Sequence, residues 1–161
     1  MYSKGLDPHG DNTLYDFADA ALTVPRPYGC RITMMNGAVI CFKAKKQLLT
    51  APSSCWAELM EFFNCSTDVR GLRNLLANLG MYQDSPTVVY QDNQSAIKIA
   101  NNRGSLGQTS RAMDLRTLST RNRVEDHEIQ TRYRRTDKMV ADMGTKALPE
   151  NPFVLFRDIM N

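Results

Sequence analysis

Over residues 54–79, steps of three and four trace Cys55, Glu58, Phe62, Cys65, Val69, Leu72, Leu76 and Leu79. That stripe predicts one long helix with a single face against a core. Pro52 and the serines at 53 and 54 mark its start, and Gly80 its stop. Before it, residues 14–18, 30–35 and 38–42 read as strands. The last two flank Asn36-Gly37, whose tolerance of positive φ suits a tight type I′ turn. After it come a buried strand at 86–91, a short helix at 94–101, a Gly-rich loop at 102–109, a helix at 110–125, a strand at 129–133 and a last helix at 138–145. In the order β-β-β-α-β-α-α-β-α, a right-handed crossover can lay the strand of Val88 parallel to an earlier one. The expected architecture is α/β, a five-stranded mixed sheet with helices on both faces. One domain fills residues 1–161, with 1–11 an irregular lead-in and 149–161 a C-terminal tail.

Glu58 is the polar exception in the helix stripe. A carboxylate turned toward a core costs several kcal/mol unless it is paired, protonated or bound to a cation. The alternative is a wet first turn, where the helix dipole also favours an anion. Asp19 and Asp92 end the first and fourth strands, where ligands gather in α/β sheets. Asp142 lies within Met139-Val140-Ala141-Asp142-Met143, an apolar setting for an acid. Each aspartate alone reads as readily as a turn residue or a helix cap. All four together point to magnesium or manganese, hard cations that prefer oxygen ligands. Paired ions of this kind activate a water and stabilise the leaving oxygen in phosphodiester cleavage.

Other chemistries fit less well. The cysteines at 30, 41, 55 and 65 never form CxxC, and the only histidines are His9 and His127. That argues against a zinc site, a disulfide scaffold and a His-activated Ser or Cys nucleophile. No nucleophile motif or phosphate-cradling Gly loop is present. No apolar run reaches the roughly 18 residues of a membrane span, so a soluble, intracellular chain is expected. Residues 1–100 balance 9 basic against 9 acidic side chains, whereas 101–146 hold 10 against 6, mostly as Arg. The excess in the second half suits either a polyanion partner or a solvated helix face.

Six short stretches, in order, resemble the ribonuclease H domain at the carboxyl end of the polyprotein of copia-type long-terminal-repeat retrotransposons. They are Phe17-Ala18-Asp19-Ala20; Phe42-Lys43-Ala44-Lys45-Lys46-Gln47; Ser53-Ser54 with Ala57-Glu58-Leu59; Asp92-Asn93-Gln94-Ser95-Ala96-Ile97; Arg111 with Asp114-Leu115-Arg116; and Ala141-Asp142 with Thr145-Lys146-Ala147-Leu148. The resemblance covers about residues 14–148. It implies a ribonuclease H-like fold that hydrolyses the RNA strand of RNA/DNA hybrids with two Mg²⁺ ions, Mn²⁺ being the other candidate. The implied ligands are Asp19, Glu58, Asp92 and Asp142. Asp19 would bridge both ions, Glu58 and Asp92 would help hold the ion beside the leaving group, and Asp142 the ion that delivers the attacking water.

The implied partners are the hybrid and a reverse transcriptase domain of the same polyprotein, with no membrane, inside virus-like particles. Lys43, Lys45 and Lys46, placed between the third strand and the first helix, are expected to touch the hybrid backbone with Arg111 or Arg116, and Asn93 and Gln94 to lie against it. A solubilising edge-strand cluster is the competing account of the lysines. Trp56 reads either as a stacking platform or as helix-start packing.

The chain departs from the family at Ala21 and Trp56, where acids are common, and at Arg111-Ala112, where Lys-His is common. Thr136-Asp137-Lys138 stands where cellular ribonucleases H often carry a His, which predicts slow turnover. Asp16 is the alternative first acid if the strand is shifted. A non-catalytic module that binds nucleic acid or supports a reverse transcriptase is the alternative function, though such modules usually lose acids and this chain has all four.

Overall fold

Strands β1 (Leu14–Ala21), β2 (Tyr28–Met35) and β3 (Ala38–Lys46) form an antiparallel meander, and β4 (Thr87–Gln91) and β5 (Ile129–Tyr133) run parallel to β1. The sheet order is β3-β2-β1-β4-β5, which puts β1 at the centre. The structure, a computed structural model, describes residues 12–101 and 111–160, apart from the side chains of 111–114. The lead-in at 1–11 and the Gly-rich loop at 102–109 therefore lie outside the described residues.

The β2–β3 turn has Asn36 at φ 54° and Gly37 at φ 74°, the two positive angles a type I′ turn requires. β1 is longer than the predicted 14–18 because it is covered on both faces, with every residue from Leu14 to Ala20 buried. Tyr15 and Phe17 join one core with Ile32, Met34, Val88 and Tyr90, while Ala18 joins the other with Phe62, Cys65, Val69, Val89 and Ile129. Two-sided burial removes the apolar–polar alternation that would have defined its ends.

Helix α1 (Ser54–Asn78) occupies the second face, capped by the Ser53 hydroxyl, which accepts from the Trp56 N–H, and followed by Gly80 at φ 78°. Phe62, Cys65, Val69 and Leu76 are buried as the stripe predicts, but Leu79, the C-cap just beyond the helix, is 67% exposed. Glu61 and Ser66 are buried off the stripe, held by arginines from neighbouring elements. Arg31 of β2 pairs with Glu61 at 2.6 Å and also with Asp68, and Arg123 donates to Ser66 at 2.5 Å. Helices α2 (Gln94–Ala100) and α3 (Arg111–Glu125) pack beside α1.

The first core's face is closed differently from expectation. The last helix predicted at 138–145 is instead two 3₁₀ turns, Thr136–Lys138 and Val140–Gly144. Met139, Val140 and Ala141 are all buried, and three successive inward residues do not fit one face of an α-helix. The tail predicted at 149–161 forms helix α4 (Glu150–Met160), which sets Phe156 into the core. Among the described residues, no helix is long and apolar enough to cross a membrane.

Candidate metal centre

Parallel pairing of β1 with β4 sets Phe17 opposite Tyr90. Asp19 and Asp92, each two residues further on, therefore emerge together at the carboxyl side of this strand pair. Glu58, in the second turn of α1, reaches the same place from the helix side. One carboxylate oxygen from each of Asp19, Glu58 and Asp92 lies within 4.8 Å of the others. Asp142 completes the group from the Val140–Gly144 turn, beside Asp19, and the two share Lys146: its Nζ is 2.8 Å from Asp142 Oδ1 and 3.7 Å from Asp19 Oδ2. Of the four acids named from the sequence, three share one cluster and the fourth, Asp142, reaches it at Asp19.

That turn reaches the sheet because Gly144 has no side chain. A Cβ there would stand 2.4 Å from Cys30 Sγ and 3.0 Å from the Ala44 Cβ. The backbone N–H groups of Thr145 and Lys146 then close onto the Asp142 carbonyl.

Neutral donors orient the acids. The Gln91 amide donates to Glu58 Oε2 at 3.2 Å, the Thr136 hydroxyl to Asp92 Oδ2 at 2.7 Å, and the Thr145 hydroxyl to Asp19 Oδ2. None of these three, nor Lys146, was among the residues predicted for the site. Their sequence signal is positional only, since Gln91 precedes Asp92 and Thr145-Lys146 follows Asp142 by three and four residues.

Burial pushes Glu58 up to about 9, with Asp19 and Asp92 adding to the rise and Gln91 opposing it. Burial likewise raises Asp142 to about 6, Lys146 opposing. Asp19 is 1% exposed, and its Oδ1 has no hydrogen-bond partner. A buried carboxylate with one oxygen lacking a donor, close to two further carboxylates, is the environment a divalent cation satisfies. The donor set is all oxygen, so the residues fit magnesium or manganese. Asp16 points to the other face of β1, where the Thr33 hydroxyl donates to it at 2.5 Å, so it stands apart from this group.

The residues expected to touch a polyanion separate into two sets. The lysines lie on β3 itself, not after it, because that strand continues to Lys46. Lys43 pairs with Asp68 at 2.9 Å, whereas Lys45 and Lys46 border a small cleft with Gln47, Asn64 and Arg116. Met60 and Glu61, two and three residues beyond Glu58 on α1, line the same cleft. Asn93 uses its side-chain oxygen to cap α2, Gln94 is exposed, and Trp56 is half-buried. The Arg111 side chain lies outside the described residues. Part of the arginine excess is structural: Arg123 is buried on α1, and Arg121 donates to the Ile99 carbonyl at the end of α2.

No protein-family model matches the chain. Over 125 residues, 78% of the chain, it is 30% identical to the retrovirus-related Pol polyprotein from transposon TNT 1-94 of Nicotiana tabacum. Over 160 residues, 96% of the chain, it is 27% identical to the truncated transposon Ty1-A Gag-Pol polyprotein of Saccharomyces cerevisiae. It spans 9% and 13% of the length of these relatives. Among solved structures, LC11-RNase H1 in complex with an RNA/DNA hybrid superposes with a TM-score of 0.60 over 82% of this chain and 93% of that one, at 8% identity. The N-terminal RNase H domain of Rv2228c from Mycobacterium tuberculosis, solved as a fusion with maltose binding protein, gives 0.59 over 91% and 96%, at 9% identity.

Proposed function

We propose that this chain, which has the ribonuclease H fold and relatives among the Pol polyproteins of copia-type retrotransposons, hydrolyses the RNA strand of RNA/DNA hybrids during reverse transcription. The observation that carries the reading is the convergence of Asp19, Glu58 and Asp92 within 4.8 Å, with Asp142 joined to Asp19 through Lys146. Asp19, Glu58, Asp92 and Asp142 would hold two divalent ions, Mg²⁺ or Mn²⁺, which when bound supply an activated water and stabilise the leaving oxygen. The chain's own part is positioning. Gln91 holds Glu58 Oε2, Thr136 holds Asp92 Oδ2 and Thr145 holds Asp19 Oδ2, so each acid is fixed by a neutral donor.

Lys45, Lys46 and Arg116 would hold a phosphate backbone along the α1 side of the centre, with Asn93, Gln94 and Arg111 as further contacts. Such contacts read groove shape and 2′-hydroxyls with no need for base sequence. The proposed setting is a polyprotein whose reverse transcriptase domain supplies the hybrid, inside virus-like particles.

The test is cleavage of a labelled RNA/DNA hybrid by the wild type and by Asp92→Asn, each with Mg²⁺ and with EDTA. RNA cut by wild type with Mg²⁺ alone, with the DNA strand intact, is the expected result. Equal cutting by Asp92→Asn would remove the assignment of the site.

A further inference from the structure

Charge is unevenly placed around Asp19. On one side, Asp19, Glu58 and Asp92 bring oxygens together, and the side-chain hydrogen bonds to Glu58 and Asp92 come from the neutral Gln91 and Thr136. On the other side, Asp19 and Asp142 already share a cation that belongs to the chain, the Lys146 ammonium at 3.7 and 2.8 Å. The turn delivers it there: Lys146 follows Asp142 by four residues, and its backbone N–H returns to the Asp142 carbonyl at 2.9 Å. The two carboxylates are almost fully buried, whereas the Lys146 side chain is 39% exposed. Its stem thus enters from solvent and has room to withdraw. Asp19 Oδ1, buried and without a partner, shows that Lys146 does not satisfy the whole cluster.

Resting on the reading of these acids as a divalent-ion centre, we propose that Lys146 is a built-in counter-ion of the Asp19–Asp142 half, so that the two halves take up divalent ions unequally. The Asp19–Glu58–Asp92 half meets the ammonium only at the longer Asp19 contact of 3.7 Å and through the field that Asp92 shares, so it accepts an ion against weaker opposition. The Asp142 half accepts one only as the Lys146 ammonium swings out, because like charges a few ångströms apart repel strongly in a half-buried site. One contact therefore does two things. Lys146 steadies the ion-free cluster and opposes the second ion, and linkage makes the two effects reciprocal.

The experiment is calorimetric titration of the purified chain with Mg²⁺, repeated with Mn²⁺, for the wild type and Lys146→Met at one pH and ionic strength. The wild type is expected to show a tighter and a weaker event. In Lys146→Met the weaker event tightens about tenfold, within the usual range of coupling between sites, and the tighter one changes by less than about twofold. The ion-free variant melts at a lower temperature than the wild type, and its rise in melting temperature with Mg²⁺ is larger. A second measurement needs no variant: in the wild type, the ¹⁵N resonance of the Lys146 ammonium shifts with the weaker event and not with the tighter. Equal affinities in both proteins, equal tightening of both events, or a Lys146 resonance that follows the tighter event would overturn the proposal while leaving the metal centre standing. Absence of Mg²⁺ and Mn²⁺ binding by the wild type would remove the metal centre itself.

Discussion

Asp16 and Asp19 sit three positions apart on β1, and strand alternation sends them to opposite faces. Asp19 meets other carboxylates, whereas Asp16 meets the Thr33 hydroxyl and the Cys65 thiol, and burial pushes it up to about 7. A carboxyl whose folded value lies above its unfolded one binds more protons when folded, so its contribution to stability is present at low pH. It is lost as pH rises from about 4 to about 7 and stays lost above. Asp16→Asn, which cannot ionise, should match the wild type near pH 4 and be the more stable at pH 8, by a margin that opens between those values, as read by urea unfolding at each pH. Glu58 behaves likewise in the metal-free protein, its stabilising effect draining away between about 4.5 and about 9. On the proposed divalent-ion reading, ligation needs the ionised form, so a rise in melting temperature with Mg²⁺ should grow across that window, from pH 6 to pH 9. At this scale the sequence was only half legible. Asp19 and Asp16 both interrupt the same apolar run, and what separates them is which neighbour each face presents.

Among the elements, α1 was readable because its period holds over twenty-five residues and its ends are marked by Ser53 and Gly80. The 139–143 segment was not, because five residues with one acid carry no usable period. Its position depends on Gly144 meeting Cys30 and Ala44, residues of strands more than a hundred and about a hundred positions away. Gly144→Ala should lift the turn off the sheet. The added methyl faces the Cys30 side chain and the Ala44 methyl, with little room to give, and overpacking of this kind costs about 1–3 kcal/mol. Hybrid cleavage should fall by more than the loss of folded protein explains, since Asp142, Thr145 and Lys146 all move with the turn. Adding Cys30→Ala, which removes the nearest atom, should recover part of both. Unfolding midpoints and cleavage rates of the single and double variants measure this. An unchanged rate in Gly144→Ala would mean the turn is not what places Asp142.

Over the whole molecule, part of the basic excess of the second half is spent on holding elements together. Arg123 is spent inside, on Ser66 and Thr67, and Arg121 on the end of α2. Composition could not show this, because a guanidinium that bridges helices and one that waits for phosphate are the same residue type. From the first half, Lys45 and Lys46 at the end of the edge strand line one cleft with Arg116. Lys43, two residues before Lys45 and part of the same sequence cluster, is paired with Asp68, which also holds Arg31 and through it Glu61. Reversal of charge should therefore separate them. Lys45→Glu with Lys46→Glu should weaken binding to an RNA/DNA hybrid and flatten the slope of log affinity against log salt by about 1.5–2, as loss of two phosphate contacts requires. Stability should barely move. Lys43→Glu should leave that slope nearly intact and lower unfolding stability by about 1 kcal/mol, because it sets a second carboxylate against Asp68 in a half-exposed ion pair. Affinity measured at several salt concentrations, with unfolding curves for each variant, decides the matter. If Lys43→Glu flattened the slope as much as the double reversal does, the hybrid path would run across the face of β3 and not through the cleft.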